Sequence, residues 1–254
     1  MEANIGGSVS DYVIGRNSVI EYLKNKDGAE KLFIQKGELK GSINKIIAMA
    51  RELKLVIVEV DRKNLDEMAE NGNHQGVCQL ATDYKYASLN DILQAGRDSA
   101  RDPLIIVCDE ITDPHNLGAI IRTAEAAGAD GLVIPKRRSA SVNHTVHKTS
   151  AGATTFLRVA KVNNINQTLD RLKDEGYWIY GADGYATTSY TSPDYRGPVA
   201  LVIGNEGRGI GQATKKSCDV LVNIPMYGRT ESLNASTSAS ILIYEVLRNR
   251  DARK

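Results

Sequence analysis

Short apolar runs alternate with segments of helical apolar spacing along the chain from Leu104 onward. The first of these runs, 104–108, is apolar throughout, as expected of a strand in a parallel sheet that is covered on both faces. Strand–helix alternation of this length predicts an α/β fold built on a parallel sheet. The predicted strands are 104–108, 131–134, 177–181, 199–203 and 220–224, and the predicted helices are 117–127, 164–175, 212–216 and 241–248.

The first part of the chain repeats this alternation on a smaller scale. The predicted strands are 31–35, 55–60 and 74–80. Apolar residues at helical spacing predict helices that begin near Val19, cover 43–53 and cover 65–69. This pattern predicts a compact α/β domain over residues 11–81, near the lower size limit for folding alone. The polar stretch 82–102, with a weak helix around 89–93, is interpreted as an interdomain linker, and residues 1–10 are expected to be disordered. The second domain then covers residues 103–254.

Composition and charge narrow the class of protein. The 254 residues carry a formal net charge of +1, so any surface that binds nucleic acid must be local. Cys78, Cys108 and Cys218 lie far apart in apolar runs, which excludes a disulfide framework or a Cys-x-x-Cys metal site and fits a reducing compartment. No signal-peptide pattern opens the sequence and no apolar stretch is long enough to span a bilayer, so a cytoplasmic protein is expected.

The first candidate motif follows the predicted strand 104–108. Asn116 is expected to open the next helix, and Arg122 lies six residues further on. An arginine on a helix otherwise rich in Ala, Ile and Gly is unusual, because a buried guanidinium without partners is costly. A salt bridge between domains or a charge near the helix end would explain it. The functional alternative is a contact to phosphate or ribose, for which the planar guanidinium suits better than lysine.

The second motif is a glycine-rich loop after the predicted strand 199–203. Its glycines are Gly204, Gly207, Gly209 and Gly211. Glycines in such a loop allow a ligand to approach the backbone closely. Their spacing matches neither the Rossmann fingerprint nor a P-loop. Glu206 and Arg208 within the loop strengthen its candidacy as a ligand site.

The third motif joins the strand 220–224 to the last helix and is dense in small hydroxyls and amides. These are Ser232, Asn234, Ser236, Thr237 and Ser238. A helix N-terminus with redundant caps is one explanation. The other is a ligand site, because Gly204 and Ile224 at successive strand ends and Leu233 would form one rim at the carboxyl edge of the parallel sheet. That edge is where α/β folds bind ligands.

The segment 131–169 has a one-sided charge. It holds Lys136, Arg137, Arg138, Lys148, Arg158 and Lys161 and contains neither Asp nor Glu. A solvated basic face would explain this, and so would a local footprint for a polyanion. His144 and His147 lack the spacing of a helical metal pair and have no evident third ligand, so no zinc site is predicted. Four tyrosines are interpreted as packing residues rather than as platforms for base stacking, namely Tyr84, Tyr86, Tyr185 and Tyr190.

The three motifs together resemble those of a known enzyme family. Asn116-x5-Arg122, Gly204-Asn205-Glu206-Gly207, and Asn223–Met226 with Ser232–Ser236 are similar to the signatures of the SpoU/TrmH-type SPOUT family of RNA 2′-O-methyltransferases. Gly15-Arg16-Asn17 and His74-Gln75-Gly76-Val77 resemble the L30e-like substrate-binding domain of this family. Over its full length the chain resembles the bacterial RlmB type most, which methylates a guanosine of 23S rRNA.

The resemblance implies a fold, a cofactor and partners. The C-terminal domain should contain a deep trefoil knot, an exception to the rule that folds are unknotted. S-adenosylmethionine should bind in the knot, RNA should be the substrate, and the enzyme should be a homodimer without a metal ion. The implied cofactor-binding residues are Ala182, Gly204, Asn205, Ile224 and Leu233. The implied catalytic residues are Asn116, Arg122, Glu206, Ser232 and Asn234, and the implied RNA-binding residues are Arg16, Arg122, Lys136, Arg137, Arg138 and Lys148.

Several alternatives stay open at this point. Arg122 could activate the 2′-hydroxyl or act only as a clamp on phosphate and alkoxide, since a guanidinium has no acceptor. The RNA could be a tRNA or another rRNA nucleotide. A nucleotide-dependent oxidoreductase or ligase would use a similar sheet, although the glycine spacing argues against it. A non-catalytic RNA-binding module is disfavoured because all three motifs are intact.

Overall fold

The computed structural model describes residues 12–25, 29–37, 41–69, 72–81 and 84–251. The chain divides into two compact units, which we describe separately. The N-terminal unit extends to Lys85 and includes Val142–Thr145, and the C-terminal unit comprises Tyr86–Ser141 and the chain from Val146 onward. The disorder expected for residues 1–10 lies outside the described residues.

The N-terminal unit is a four-stranded sheet covered by helices on both faces. Its elements are β1 (Tyr12–Ile14), α1 (Arg16–Asn25), β2 (Ala29–Gln35), α2 (Ser42–Glu52), β3 (Val56–Val60), α3 (Arg62–Met68) and β4 (Val77–Ala81). The strand order is β1-β4-β2-β3, with only β2 and β3 parallel. Side chains alternate along β2: Leu32 and Ile34 pack with α1 and α2, whereas Phe33 packs with α3. The predicted α/β domain is therefore observed.

The C-terminal unit contains a fully parallel seven-stranded sheet. Its elements are α4 (Leu89–Asp98), β5 (Leu104–Asp109), α5 (Pro114–Ala126), β6 (Gly131–Pro135), α6 (His144–Thr149), β7 (Val159–Val162), α7 (Ile165–Asp174), β8 (Trp178–Ala182), β9 (Thr188–Ser189), β10 (Val199–Gly204), α8 (Gln212–Ser217), β11 (Val220–Asn223) and α9 (Ala235–Asp251). The strand order is β7-β6-β5-β10-β8-β11-β9. The parallel α/β sheet predicted from the apolar runs is confirmed.

Helices cover both faces of this sheet. On one face, Ile105 and Val107 of β5 and Val202 of β10 pack with α4 and α7 in one apolar cluster. α9 packs against β10 and α5, and Thr123 Oγ1 of α5 lies 3.1 Å from Ser240 Oγ of α9. Small side chains on α9 therefore allow two helices to approach closely.

The stretch 82–102, predicted to be a linker, is largely structured. Residues 89–98 form α4, which begins with a capping box between Ser88 and Asp91. Ile92 and Leu93 are buried in the core of the C-terminal unit. A Cβ on Gly96 would come within 2.7 Å of the Tyr177 hydroxyl, so glycine lets the helix pack there. The apolar positions are few and diluted by polar ones, which is why the sequence suggested only a weak helix.

Other element boundaries also differ from prediction. α9 begins at Ala235, six residues before the predicted start, because the small-residue run is itself helical. Asn116 does not open α5, since the helix starts at Pro114 and its N-cap is Asp113. The short elements α6, β7 and β9 were not predicted. Within the described residues no helix is both long and apolar enough to cross a membrane, and the trefoil knot stays a prediction.

Candidate active site

Three adjacent strands end beside a cavity of about 580 Å³. They are β10, β8 and β11, which end at Gly204, Ala182 and Asn223 and follow one another in the sheet. The lining residues include Ala182, Asp183, Gly184, Tyr185, Gly204, Asn205, Glu206, Gly207, Arg208, Lys215, Ile224, Met226, Glu231, Ser232, Leu233 and Ser238. The cavity thus lies at the carboxyl edge of the parallel sheet, where α/β folds bind ligands.

Most of the predicted cofactor and catalytic residues meet in this cavity. Ala182, Gly204, Asn205, Ile224 and Leu233, the five predicted cofactor contacts, all line it. Glu206 and Ser232 of the predicted catalytic set line it too. Three loops that are distant in sequence therefore contribute to one site.

The glycine-rich loop is closed by its own backbone and by Asn205. The amide of Asn205 donates to Gly209 O at 3.2 Å, and the amide of Gly209 donates back to Asn205 O at 2.8 Å. The side chain of Asn205 accepts from the Gly207 amide at 2.9 Å and donates to Glu110 O at 3.3 Å. These bonds fix the loop before any ligand binds.

Gly204 is required by this loop rather than by a ligand. A Cβ at Gly204 would lie 2.2 to 2.5 Å from backbone atoms of Gly209 and Ile210, which no side chain tolerates. Gly209 has φ +64°, a left-handed conformation that favours glycine, whereas a Cβ at Gly207 would meet only the Asn205 side chain at 3.6 Å. The sequence suggested that glycines are present so that a ligand can approach. At Gly204 the reason is different, because the backbone of the loop itself leaves no room for a side chain.

Asn116 reaches the cavity through Glu206. The Asn116 Nδ2 group donates a hydrogen bond to Glu206 Oε1, and Asn116 is only 7% exposed. The Asp113 side chain accepts from the His115 amide at 2.9 Å and fixes the start of α5. The first and second motifs are therefore joined directly by side chains 90 residues apart in sequence.

A second link ties the end of β5 to the same loop. Asp109 Oδ2 accepts from the Gly211 amide at 2.9 Å. Glu110 forms an ion pair with Arg138 at 2.9 Å, and both residues have left-handed backbone angles, with φ 59° and 56°. The turn after β6 is thereby connected to the turn after β5.

Besides Asn116, two more predicted catalytic residues, Arg122 and Asn234, do not line the cavity. Asn234 is the cap of α9, where its Oδ1 accepts from the Ser236 amide at 2.9 Å and from the Ser236 hydroxyl at 2.6 Å. Arg122 is exposed, and no other described residue bonds or pairs with it. Six residues of α-helix turn through about 600°, so Arg122 lies about 120° around α5 from Asn116.

The sequence interpretation missed an ion pair in the cavity wall. Asp183, directly after β8, pairs with Lys215 of α8 at 2.8 Å. The two residues are 32 positions apart and belong to no motif, so no sequence signal could have joined them. Tyr185 at the cavity is 92% exposed, so its interpretation as a packing residue is wrong.

The basic residues of the segment 131–169 differ in their environments and do not form one uniform surface. Lys161 donates to Ser141 Oγ at 3.0 Å and lies 4.6 Å from the centre of the Tyr86 ring. Arg138 is held by Glu110, whereas Arg137 and Lys148 are exposed. His147 Nδ1 lies 2.6 Å from Thr154 Oγ1, and the described residues contain no group of His, Cys, Asp and Glu that could hold a metal ion.

The N-terminal unit has a polar cleft of its own, with a volume of about 520 Å³. Arg16, Lys36 and Arg62 line it together with His74 and Gln75. Arg16 Nε donates to Gln75 O at 3.0 Å, and the Arg16 amide donates to Gln75 Oε1 at 3.2 Å. The two sequence motifs of this unit therefore meet in one cleft, with Arg16 on its wall.

Comparison with known proteins agrees with this arrangement. The model of the SpoU rRNA methylase family matches residues 103–244, and a model described as RNA 2′-O ribose methyltransferase substrate binding matches residues 12–87. YacO of Bacillus subtilis, named as a TrmH family tRNA/rRNA methyltransferase, is 44% identical over 95% of this chain and 96% of its own.

Two solved structures show the same likeness. The SpoU methyltransferase AviRb from Streptomyces viridochromogenes, crystallised in complex with AdoMet, has a TM-score of 0.61 at 24% identity and covers 95% of this chain and 90% of its own. The TrmH/SpoU tRNA modifying enzyme of A. aeolicus has a TM-score of 0.56 at 30% identity and covers 63% of this chain and 82% of its own.

The fold, the cavity and these matches define an S-adenosylmethionine-dependent RNA 2′-O-ribose methyltransferase that acts on tRNA or rRNA. More particularly, the chain belongs to the SpoU rRNA methylase family.

Proposed function

We propose that this protein methylates the ribose 2′-hydroxyl of a guanosine in 23S rRNA, acting in the cytoplasm as a homodimer without a metal ion. The observation that carries the proposal is the cavity at the adjoining ends of β8, β10 and β11. There Glu206 is hydrogen bonded to Asn116, so residues of separate motifs converge on one site.

The N-terminal unit favours rRNA over tRNA as the substrate. Residues 12–87 match a substrate-binding family model, whereas the tRNA modifying enzyme of A. aeolicus aligns with 63% of this chain. More than a third of the chain is therefore unmatched in that alignment. An added unit that binds RNA suits a large, folded RNA, because such targets are recognised by shape and exposed loops.

The lining of the cavity suits S-adenosylmethionine. Its volume of about 580 Å³ lies within the usual range for small-molecule sites. Ile224 and Leu233 offer apolar surface and backbone for the adenine and ribose, and the carboxylate of Glu206 offsets positive charge in the site. When bound, this cofactor supplies a methyl group that its sulfonium has already activated.

The protein then has to place the ribose hydroxyl in line and raise its nucleophilicity. Asn116, Ser232 and Asn234 carry amide or hydroxyl groups that can orient the ribose by hydrogen bonds. Glu206 holds the Asn116 amide and anchors the glycine-rich loop. Each of these roles is part of the proposal.

Arg122 is assigned to the cavity of the other protomer. It is exposed, points away from Asn116, and pairs with no other described residue. A guanidinium stays protonated and only donates hydrogen bonds, so Arg122 would fix a phosphate beside the target and stabilise the developing alkoxide. The hydroxyl proton would leave through phosphate or water.

Residues that bind RNA are proposed in each unit separately. They are Arg16 in the polar cleft of the N-terminal unit and the exposed Arg137 and Lys148 of the C-terminal unit. Lys136 and Arg138 flank Arg137 in the same turn. Phosphate contacts of this kind add affinity and strong salt dependence without reading sequence.

Mapping of 2′-O-methyl groups tests the substrate. RNA from a strain that lacks this gene is compared with RNA from the parent strain and from the strain complemented with the intact gene. Loss of one methyl group at a 23S rRNA guanosine is the expected result. Loss of a methyl group only from tRNA would overturn the choice of substrate.

Subunit mixing tests the assignment of Arg122. Arg122→Ala and Glu206→Gln are each expected to lower the methylation rate by about 100-fold. Mixed dimers of the two variants should regain activity, because one cavity then combines an intact Glu206 with an intact Arg122. Arg97→Ala, which removes an exposed arginine from α4, is the control and should keep the full rate. Mixed dimers as inactive as the parents would contradict action across the interface.

A further inference from the structure

The ion pair between Asp183 and Lys215 is a largely buried element of the cavity wall. Lys215 Nζ lies 2.8 Å from Asp183 Oδ2, and the two side chains are 18% and 11% exposed. Both residues line the cavity at the ends of β8, β10 and β11. Ion pairs this deep cost desolvation that their attraction offsets only in part, so a fold gains little stability from such a pair.

The backbone around Asp183 is fixed by the sheet. Its amide donates to Val222 O of β11 at 2.9 Å, and its carbonyl accepts from the Ala186 amide at 3.0 Å. The carboxylate therefore cannot move far from the ends of β8 and β11. A group held in this way is preorganised for a ligand.

The carboxylate of Asp183 keeps acceptor capacity toward the cavity. Oδ2 accepts from Lys215, and the one hydrogen bond that Oδ1 accepts from a described residue is a long one of 3.3 Å from the Tyr185 amide. An ionised carboxylate offers about four lone-pair sites. Since Lys215 balances its charge, the group suits neutral hydroxyl donors rather than a second cation.

We propose that Asp183 accepts hydrogen bonds from the ribose hydroxyl groups of S-adenosylmethionine and that Lys215 is its positioning residue. This inference rests on the proposed function, because it requires that the cavity binds that cofactor. The two adjacent hydroxyls of a ribose are donors that one carboxylate can hold together, as acidic side chains do in other nucleotide sites. Asp183 is then a recognition residue that belongs to none of the three motifs.

Calorimetric titration with the reaction product tests the inference without catalysis. The probes are S-adenosylhomocysteine and its 2′-deoxy and 3′-deoxy analogues. The wild-type protein should bind at least one deoxy analogue about 10- to 100-fold more weakly than the parent compound, as loss of a hydrogen bond to a charged group predicts. In Asp183→Ala this discrimination should fall below about 3-fold.

Matched variants distinguish recognition of the ribose by Asp183 from a purely structural role of Asp183 in the loop. Lys215→Met should weaken binding of S-adenosylhomocysteine, whereas Lys216→Met, which changes the exposed neighbour on α8, should not. If Asp183→Ala fails to fold in thermal melting, Asp183→Asn replaces it and should discriminate less than the wild type. Weaker binding with undiminished discrimination would show that Asp183 only supports the loop, and would overturn the inference.

The same titrations distinguish a failure of the proposed function from a failure of the role of Asp183. A wild-type protein that does not bind S-adenosylhomocysteine would contradict the proposed function itself. A wild-type protein that binds it but treats the deoxy analogues alike would contradict only the role of Asp183.

Discussion

At the edge where the strands of the seven-stranded sheet begin, charged side chains bind backbone groups. Arg250 donates to the carbonyls of Asp102 at 2.7 Å, Gly197 at 2.8 Å, and Pro103 and Tyr195 at 3.0 Å. Asp130, Asp102 and Asp219 accept from the amides of Leu104, Gly197 and Ile179, each at 2.8 Å. The hydrogen bonds of these side chains thus close the beginning of β5, β10 and β8.

At the edge where the strands end, polar side chains pair with each other across loops. Glu206 bonds to Asn116, and Asp183 pairs with Lys215. Glu206, Asp183 and Lys215 all line the cavity. Asp109 and Asn205 also bind backbone groups at this edge, and both hold the glycine-rich loop.

The two edges of the sheet therefore serve different purposes: the starting edge contributes to stability, and the ending edge contributes to function. Side chains that satisfy the backbone leave little capacity for a ligand, so substitutions at the starting edge should lower stability alone. Side chains that meet in a cavity can exchange partners, so substitutions at the ending edge should change binding or rate. Variants from the two edges test this division.

The largest effect is expected from Gly204→Ala at the ending edge. The added Cβ would lie 2.2 to 2.5 Å from the backbone of Gly209 and Ile210, so the loop cannot keep its conformation. We expect affinity for S-adenosylhomocysteine to fall by about 1,000-fold or more, equivalent to about 4 kcal/mol. Calorimetric titration measures it. Gly211→Ala is the matched control, because Gly211 does not line the cavity and its Cβ would meet only side-chain atoms, the nearest being Asp109 Oδ2 at 3.4 Å.

The second-largest effect is expected on the reactivity of the Cys218 thiol, which lies at the starting edge before β11. Burial raises the pKa of Cys218 to about 12, with the neighbouring Asp219 adding to the shift, and its Sγ donates to Thr214 O at 3.3 Å. At pH 8 the thiolate fraction should be about 1,000-fold below that of a free cysteine. Native protein should therefore react slowly with a disulfide reagent, and unfolded protein quickly.

The same shift predicts a loss of stability at high pH. A pKa raised on folding means that the stabilising contribution is complete below the pKa of the unfolded thiol, near 8.5, and is lost as the pH rises toward 12. Cys78, whose pKa burial also raises to about 12, contributes in the same direction. Fast reaction of Cys218 in the native state would show that the starting edge opens.

Arg250→Met should lower stability without changing the site. It removes four hydrogen bonds to backbone carbonyls at the starting edge. Burial lowers the pKa of Arg250, but the group stays charged, so these bonds are charge-assisted. We expect the free energy of unfolding to fall by about 3 kcal/mol, while the folded variant binds S-adenosylhomocysteine normally. Urea denaturation measures the first quantity.

Arg196→Met is the control for this substitution. Arg196 is exposed and pairs with the exposed Asp194, and exposed ion pairs contribute little. Its unfolding curve should therefore overlay that of the wild type. A binding defect in Arg250→Met, measured below its unfolding transition, would break the division between the two edges.

Sequence patterns predicted the sheet and most of the cavity, because both depend on local chemistry. Apolar runs such as 104–108 identify buried strands, and the carboxyl ends of adjacent parallel strands lie together. The pairing of Asp183 with Lys215 was beyond prediction, since it depends on which strands are neighbours. The sequence predicted only a weak helix around 89–93 where the structure has a packed helix over 89–98, because the burial of this helix depends on Gly96 fitting against Tyr177.

The smallest effect is expected at Asn234, which combines a structural role with a proposed catalytic one. Its Oδ1 caps α9 through the Ser236 amide, yet the position also belongs to the proposed catalytic set. Asn234→Ala should lower the free energy of unfolding by about 1 kcal/mol, as loss of an N-cap does. Asn234→Asp keeps the capping oxygen and adds a charge that suits a helix N-terminus, so its stability should match the wild type. Only the amide donor is lost in that variant. If this donor orients the ribose, methylation by Asn234→Asp slows although the protein is fully stable; a wild-type rate would assign Asn234 to structure alone.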